Sequence, residues 1–237
     1  MKIKNLIEKN LIFSALVFLL TLLLTQTYIS NFYNITASPD FIRYYDYFLY
    51  FNGSRETTGL EQGLIYYYIC FLVFSKNSTN LNLYNFEELI SVSVLEANFY
   101  FYLITLFGLY KLLTFSGYKL KDIFIVFSIL NFFPPGLVLR IIFKPEVIIT
   151  TLFIWIIFFI KKYLTYRKSI YGLFLALSFT LIASIKISST LIVLFALIAI
   201  FKRELLHVVL NKYFVALSFL LYILVSFENF TANGLLL

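Results

Sequence analysis

The sequence predicts an all-α integral membrane protein of about seven transmembrane helices, with amphipathic interfacial helices in the first outer loop. Three observations lead there. Hydrophobic residues make up 61% of the 237 and aromatic ones 21%, and a mean hydropathy of +0.90 points to a bilayer as the solvent. Apolar runs recur along the whole chain instead of at one end, which excludes a soluble enzyme behind a cleaved leader and implies that the first span is retained. Charged residues are 13% of the chain, and they gather between the apolar runs with a bias in sign.

The first span is 11–29, long enough at about 1.5 Å per residue to cross a core of about 30 Å. Lys2, Lys4 and Lys9 precede it, so the positive-inside rule places the N-terminus in the cytoplasm and residues 30–88 outside. The second span, 89–113, returns to Lys111, Lys119 and Lys121. The third, 123–138, meets Pro134 and Pro135 near its outer end, where water or protein can satisfy the carbonyls that proline leaves free. The fourth, 147–160, closes on Lys161, Lys162, Arg167 and Lys168. Residues 170–201 are a run of 32 with Lys186 as the one charge, about 48 Å as one straight helix and too long for the core. A hairpin turning at Lys186, with arms 170–185 and 187–201, keeps Lys202, Arg203 and Lys212 cytoplasmic and is preferred to one tilted helix. The last span is 213–227. All 237 residues then form one membrane domain with 13 of its 19 Lys and Arg inside and 3 of its 12 acids there, so function is sought on the acidic outer face.

Composition narrows the chemistry. One Cys, one His, one Met and one Trp exclude disulfide frameworks, thiolate or multi-His metal sites and paired-His haem ligation. Carboxylates, Lys, Arg, Tyr and amides remain. A net charge of +7 would suggest nucleic acid for a soluble protein, but in a membrane protein its distribution matters more, and no nucleic-acid partner is expected. The abundance of Lys, Asn, Ile, Phe and Tyr matches AT-rich coding, so four Asn-x-Ser/Thr sequons at Asn34, Asn52, Asn77 and Asn229 receive little weight.

A first outer loop of some 59 residues (30–88) is too long to be idle. Ser38-Pro39-Asp40 reads as N-cap, proline at N1 and a first-turn acid, opening an aromatic helix to Phe51 that Asn52-Gly53 ends. A second helix starts near Leu60-Glu61 and runs to Phe74. Both are expected to lie flat on the outer leaflet. Asp40 and Glu61 read as helix-start acids that complement the macrodipole, or as functional carboxylates. Arg43, three residues after Asp40, suits an ion pair or a lipid headgroup. Asp46 points to another face and is expected to be solvated. Glu96, inside the second span, is expensive unless it faces the bundle or a wet cavity, where Arg140 or Lys186 are candidate partners. Lys186 itself is either a functional cation or a snorkelling residue at the hairpin tip. His207 reads as a surface residue among cations, and Cys70 as a small hydrophobe.

The order of features resembles the GT-C glycosyltransferases: a first span, Asp-x-x-x-Tyr at Asp40 and Tyr44, Gly-Leu-x-Tyr-Tyr over Gly63 to Tyr67, then an acid in the next outer loop. This family includes protein O-mannosyltransferases and the aminoarabinose transferases of lipid A. The resemblance implies an enzyme of the bacterial inner membrane that takes a sugar from a polyprenyl phosphate on the outer face and gives it to a lipid, glycan or protein acceptor. It implies that Asp40 is the base or acceptor-positioning acid, that Glu146 in Lys144-Pro145-Glu146 is the second acid, and that Lys186 in Ala-Ser-Ile-Lys-Ile-Ser is the family's lysine. Two departures stand out. Asp40 is followed by Phe41 where the family often has a second acid, and family members are longer, which is compatible with an N-terminal fragment.

Transfer from a lipid phosphate needs a cation at the leaving group, a base for the acceptor and a cavity open to the bilayer. Asp40 and Glu146 are the catalytic candidates; Arg43, Glu61, Arg140, Lys144 and Lys186 are the candidates for binding substrate. The motifs identify no cofactor with certainty, and a divalent metal at Glu146 is compatible with them. The rival classes are an O-antigen polymerase or ligase, which usually carries its largest loop later, a transporter, and a non-enzymatic membrane subunit.

Overall fold

The computed structural model describes residues 2–37, 39–54, 64–78, 85–202, 204, 208, 214–220 and 222–223. The elements it describes are helices: α1 (Lys2–Phe32), a 3-10 turn (Ile35–Ala37), α2 (Pro39–Phe51), α3 (Leu64–Asn77), α4 (Phe86–Phe115), α5 (Leu120–Phe132), α6 (Pro134–Ile141), α7 (Glu146–Tyr166), α8 (Ser169–Ile185) and α9 (Ile187–Phe201). Residues 214–220 and 222–223 are helical too. Among the described residues there is helix and no strand, in keeping with the all-α class that the apolar runs predict.

Among the described residues, three helices are long and apolar enough to cross a membrane: Asn10–Phe32, α4 and α7. A fourth span results if α5 and α6, bent by 63°, count as one. The arms α8 and α9, of 17 and 15 residues, are apolar but short. In the most apolar stretch of each, 67% of α4 is buried against 22% for α1, so α4 is the centre of the bundle and α1 its lipid-facing margin. Phe13, Leu16, Leu20 and Leu23 of α1 accordingly stay exposed, the surface a bilayer would cover.

Helix ends follow local chemistry. Asn85 caps α4, its Oδ1 accepting the Glu88 N–H at 2.8 Å, while Glu87 and Glu88 complement the dipole of the first turn. At the other end Gly117 takes φ +86°, and Tyr118 N–H reaches Leu113 O while Gly117 N–H reaches Thr114 O. This is a Schellman cap, in which the glycine spares a side chain the left-handed conformation. α4 and α7 run parallel: Thr105 and Thr151 hydroxyls lie 2.8 Å apart, Gly108 admits Trp155, and Phe115 meets Phe158. α7 and α8 are antiparallel, with Phe159 stacked on Phe174 and Tyr166 near Tyr171.

The third expected span, 123–138, breaks between α5 and α6. Pro134 and Pro135 have no N–H, so the carbonyls of Leu130 and Asn131 lose their helical partners. Arg140 Nη2 donates to Asn131 O at 2.7 Å, Nε to Gly136 O at 3.2 Å and Nη1 to Thr25 Oγ1 of α1 at 2.9 Å. The Leu130 carbonyl instead lies against Gly136, where a Cβ would be 2.0 Å from its oxygen.

The run 170–201 is a hairpin. α8 ends at Ile185, Lys186 is extended (φ −162°, ψ 104°), and α9 starts at Ile187. Phe179, Thr180 and Ala183 share a groove with Thr190 and Leu194, as antiparallel arms must, and with Phe214, Ser218 and Tyr222.

Within the first loop the two helices are present, but they do not simply lie on a leaflet. Phe41, Tyr44, Tyr47 and Phe48 of α2 and Tyr66, Tyr67, Cys70 and Phe74 of α3 are buried in the main core, around Phe143. Tyr47 and Tyr67 stack at 4.0 Å, and Phe143 meets five rings from these helices, Phe41, Tyr44, Phe48, Tyr66 and Tyr67. Aromatic residues suit an interface and a protein core equally, and here they form core. Asp46 is half-buried instead of solvated.

Candidate functional site

The connection between α6 and α7 is the anchor of the candidate site. α6 stops at Ile141, leaving the carbonyl of Ile142 without a helical partner; Asn98 Nδ2 of α4 donates to it at 2.6 Å and Tyr66 OH of α3 approaches it at 3.3 Å. Tyr66 OH also donates to Asn98 Oδ1 at 2.9 Å. One residue on, Phe143 fills the aromatic core. Lys144 and Pro145 follow, and Glu146 opens α7, where a carboxylate complements the positive end of the helix.

Lys186, at the apex of the α8–α9 hairpin, reaches across to Glu146 Oε1 with its Nζ at 2.5 Å. The side chains are 34% and 40% exposed, so the pair lies at an accessible edge of the bundle. An ion pair this exposed contributes about 0–1 kcal/mol, so stability alone gives a weak reason for it. Glu146 Oε2 is turned inward and accepts no hydrogen bond among the described residues. The pair therefore combines an accessible cation, suited to a phosphate, with a carboxylate whose inner oxygen is buried and unpartnered among the described residues.

The remaining candidates fall in different places. Asp40 lies on the first turn of α2, next to Phe41, whose ring is 6.1 Å from Phe143; this brings the start of α2 to the connection that carries Lys144 and Glu146. The side chains of Asp40 and Arg43 lie outside the described residues, as do Glu61 and His207 entirely. Arg140 is not beside the pair. It is 0% exposed, bound as above to α1, α5 and α6, with its guanidinium 4.7 Å from the Tyr102 ring. Tyr102 OH donates to Asn131 Oδ1, and Asn131 Nδ2 to Thr21 Oγ1. This knot accounts for Arg140 as the cation that replaces proline's missing donors.

Glu96 meets neither Arg140 nor Lys186, the two partners the sequence suggested for it. Its partners are Lys76 Nζ at 3.0 Å, Asn77 Nδ2 at 2.8 Å and Tyr100 OH at 2.5 Å. Lys76 holds its proton more firmly for that hydrogen bond and charge. Among the described residues no three His, Cys, Asp or Glu side chains gather in a metal-binding group.

Burial pushes the phenols of Tyr66 and Tyr67 well above their ordinary range, so they act as neutral hydrogen-bonding groups and not as bases. Burial also pushes the Cys70 thiol up to about 12. Sequence reasoning missed Asn98 and Tyr66, the side chains that bind the free carbonyl of Ile142, and Asn131, whose side chain ties α5 to α1. Discounting Asn and Tyr as coding bias hid them; an amide inside an apolar span was the available signal.

The chain matches no family model, no curated protein and no solved structure.

Proposed function

We propose that the chain is a multi-pass membrane glycosyltransferase that moves a sugar from a polyprenyl-phosphate donor to a lipid, glycan or protein acceptor at one end of its bundle. The observation that carries this reading is the Glu146–Lys186 pair, set at the same connection as Lys144 and beside the start of α2, where Asp40 lies. In this reading Lys186 and Lys144 hold the donor phosphate, Glu146 positions the acceptor or a cation, and Asp40 takes the acceptor proton. Aromatic packing around Phe143 keeps the connection rigid, which positioning of reacting groups requires.

The topology belongs to the same proposal. α1 and α5 run side by side in one direction, since Phe18 meets Phe124 and Thr25 meets Arg140, and α4 and α7 run parallel to each other. That course is compatible with a path of seven spans, for which the positive-inside rule puts the N-terminus in the cytoplasm and the Glu146 end outside. The short arms α8 and α9 then sit where the bilayer is thinned or the helices are sunk within it.

The decisive experiment incubates purified protein with a panel of labelled polyprenyl-phosphate sugars and reads donor binding and release of the lipid phosphate. Donor binding that weakens in Lys186→Ala is expected. Failure to bind any donor in the panel would overturn the assignment in favour of a membrane subunit whose Glu146–Lys186 pair only staples the hairpin to α7. Reporter fusions after Leu210 and after Asn229 test the topology, which requires a cytoplasmic signal at the first and an external one at the second.

A further inference from the structure

The end of α7 away from Glu146 carries a second feature. In residues 111–122 and 161–168 there are seven basic side chains, Lys111, Lys119, Lys121, Lys161, Lys162, Arg167 and Lys168, and one acid, Asp122. We propose that this end is a docking surface for the headgroups of anionic phospholipids, a reading that holds whatever chemistry the opposite end performs.

The cations form two tiers. Those of the first tier are seated among rings. Lys162 Nζ lies 4.3 Å from the centre of Phe115, 4.9 Å from Tyr166 and 5.6 Å from Phe158. Lys111 Nζ lies 5.1 Å from Phe107 and 5.7 Å from Tyr110, and the Arg167 guanidinium 6.0 Å from Tyr163. Lys161 Nζ donates to Ser116 Oγ at 3.0 Å, joining the ends of α7 and α4. A cation over a ring keeps its full charge while its position is fixed. The second tier, Lys119, Lys121 and Lys168, is exposed and has no partner among the described residues.

The arrangement selects the partner. Phe107 and Tyr166 are half-exposed and continue the apolar outer faces of α4 and α7, so the first tier stands at the level where hydrocarbon gives way to headgroups. Free lysines just beyond it are placed for phosphates in that layer. A nucleic acid would need cations along a polar groove, and an acidic soluble protein gains nothing from rings flanked by hydrocarbon.

The test uses the purified full-length chain in nanodiscs of phosphatidylcholine with and without phosphatidylglycerol, and native mass spectrometry to count the lipids that stay bound. Phosphatidylglycerol is expected to be retained over phosphatidylcholine, less so as salt rises. Replacing Lys119, Lys121 and Lys168 together by Gln is expected to lower that preference, by up to about fivefold for each charge removed at low salt. Lys76→Gln, at the other end of the bundle, should leave it unchanged. Equal retention of the two lipids by the parent protein overturns the proposal. So does an equal loss in Lys76→Gln, or full preference in a triple variant whose circular dichroism shows it folded.

Discussion

Replacing Gly136 by Ala asks how much of the fold rests on the bend between α5 and α6. The added methyl would lie 2.0 Å from Leu130 O and 3.0 Å from Leu130 C. Both are backbone atoms, so no side chain can swing aside, and ordinary contact requires the two segments to part by more than about 1 Å. Overpacking of this kind costs about 1–3 kcal/mol. The parting also pulls on the Arg140 hydrogen bonds to Gly136 O and Asn131 O, and charged hydrogen bonds contribute about 1.5–3 kcal/mol each. Losing one of them brings the total to about 2.5–6 kcal/mol. The assay is thermal denaturation in detergent, followed by size-exclusion recovery, with Gly117→Ala as comparison: nothing lies within 4 Å of a Cβ there, and only its φ of +86° opposes the change, worth about 1 kcal/mol. Gly136→Ala should lower the denaturation midpoint several times as far as Gly117→Ala. Equal shifts would refute the reasoning, because they would mean that the bend opens without penalty.

Asp40→Asn should lower turnover by about 10²-fold or more with donor binding nearly intact; an unchanged rate in a folded variant would return Asp40 to the role of a helix-start acid. Glu146→Gln and Lys186→Ala should couple in a double-mutant cycle read on lipid-phosphate binding, because the two side chains touch; strict additivity would mean that the pair does not act as a unit. Cys70 should resist maleimide in the folded protein even at alkaline pH, since burial lifts its thiol from 9.0 to about 12, and labelling should be fast only after denaturation. The sign for stability follows. Below pH 9.0 the thiol is protonated in both states and contributes no change, whereas between 9.0 and about 12 the unfolded chain alone ionises and the fold loses stability. Equal labelling of native and denatured protein would refute the burial of Cys70.

Helix class and most boundaries were legible because apolar runs, prolines and charged turns act locally. The hairpin at Lys186 was legible because a run of 32 residues with a single charge is too long to cross a thin core as one straight helix. The partners of Glu96 were not, since Lys76 and Asn77 stand on α3, a helix read as lying on a membrane and not against α4. The same blindness applied to Tyr44, Tyr47 and Tyr67: a ring's preference for half-wet surroundings does not say whether protein or lipid supplies the dry side. Glu146 and Lys186 could be named from motif order, but their pairing depends on where the α6–α7 connection is held by Asn98 and Tyr66, which no local pattern encodes.

Arg140 reaches back 115 residues to Thr25 on the first helix. The hydroxyl that meets this guanidinium thus belongs to the helix first in chain order, and the bend between α5 and α6 is completed by a part of the chain far from it in sequence. The margin of the bundle, exposed along most of its length, is therefore not dispensable to the interior: without α1, the buried guanidinium would lose one of its three described hydrogen-bond partners.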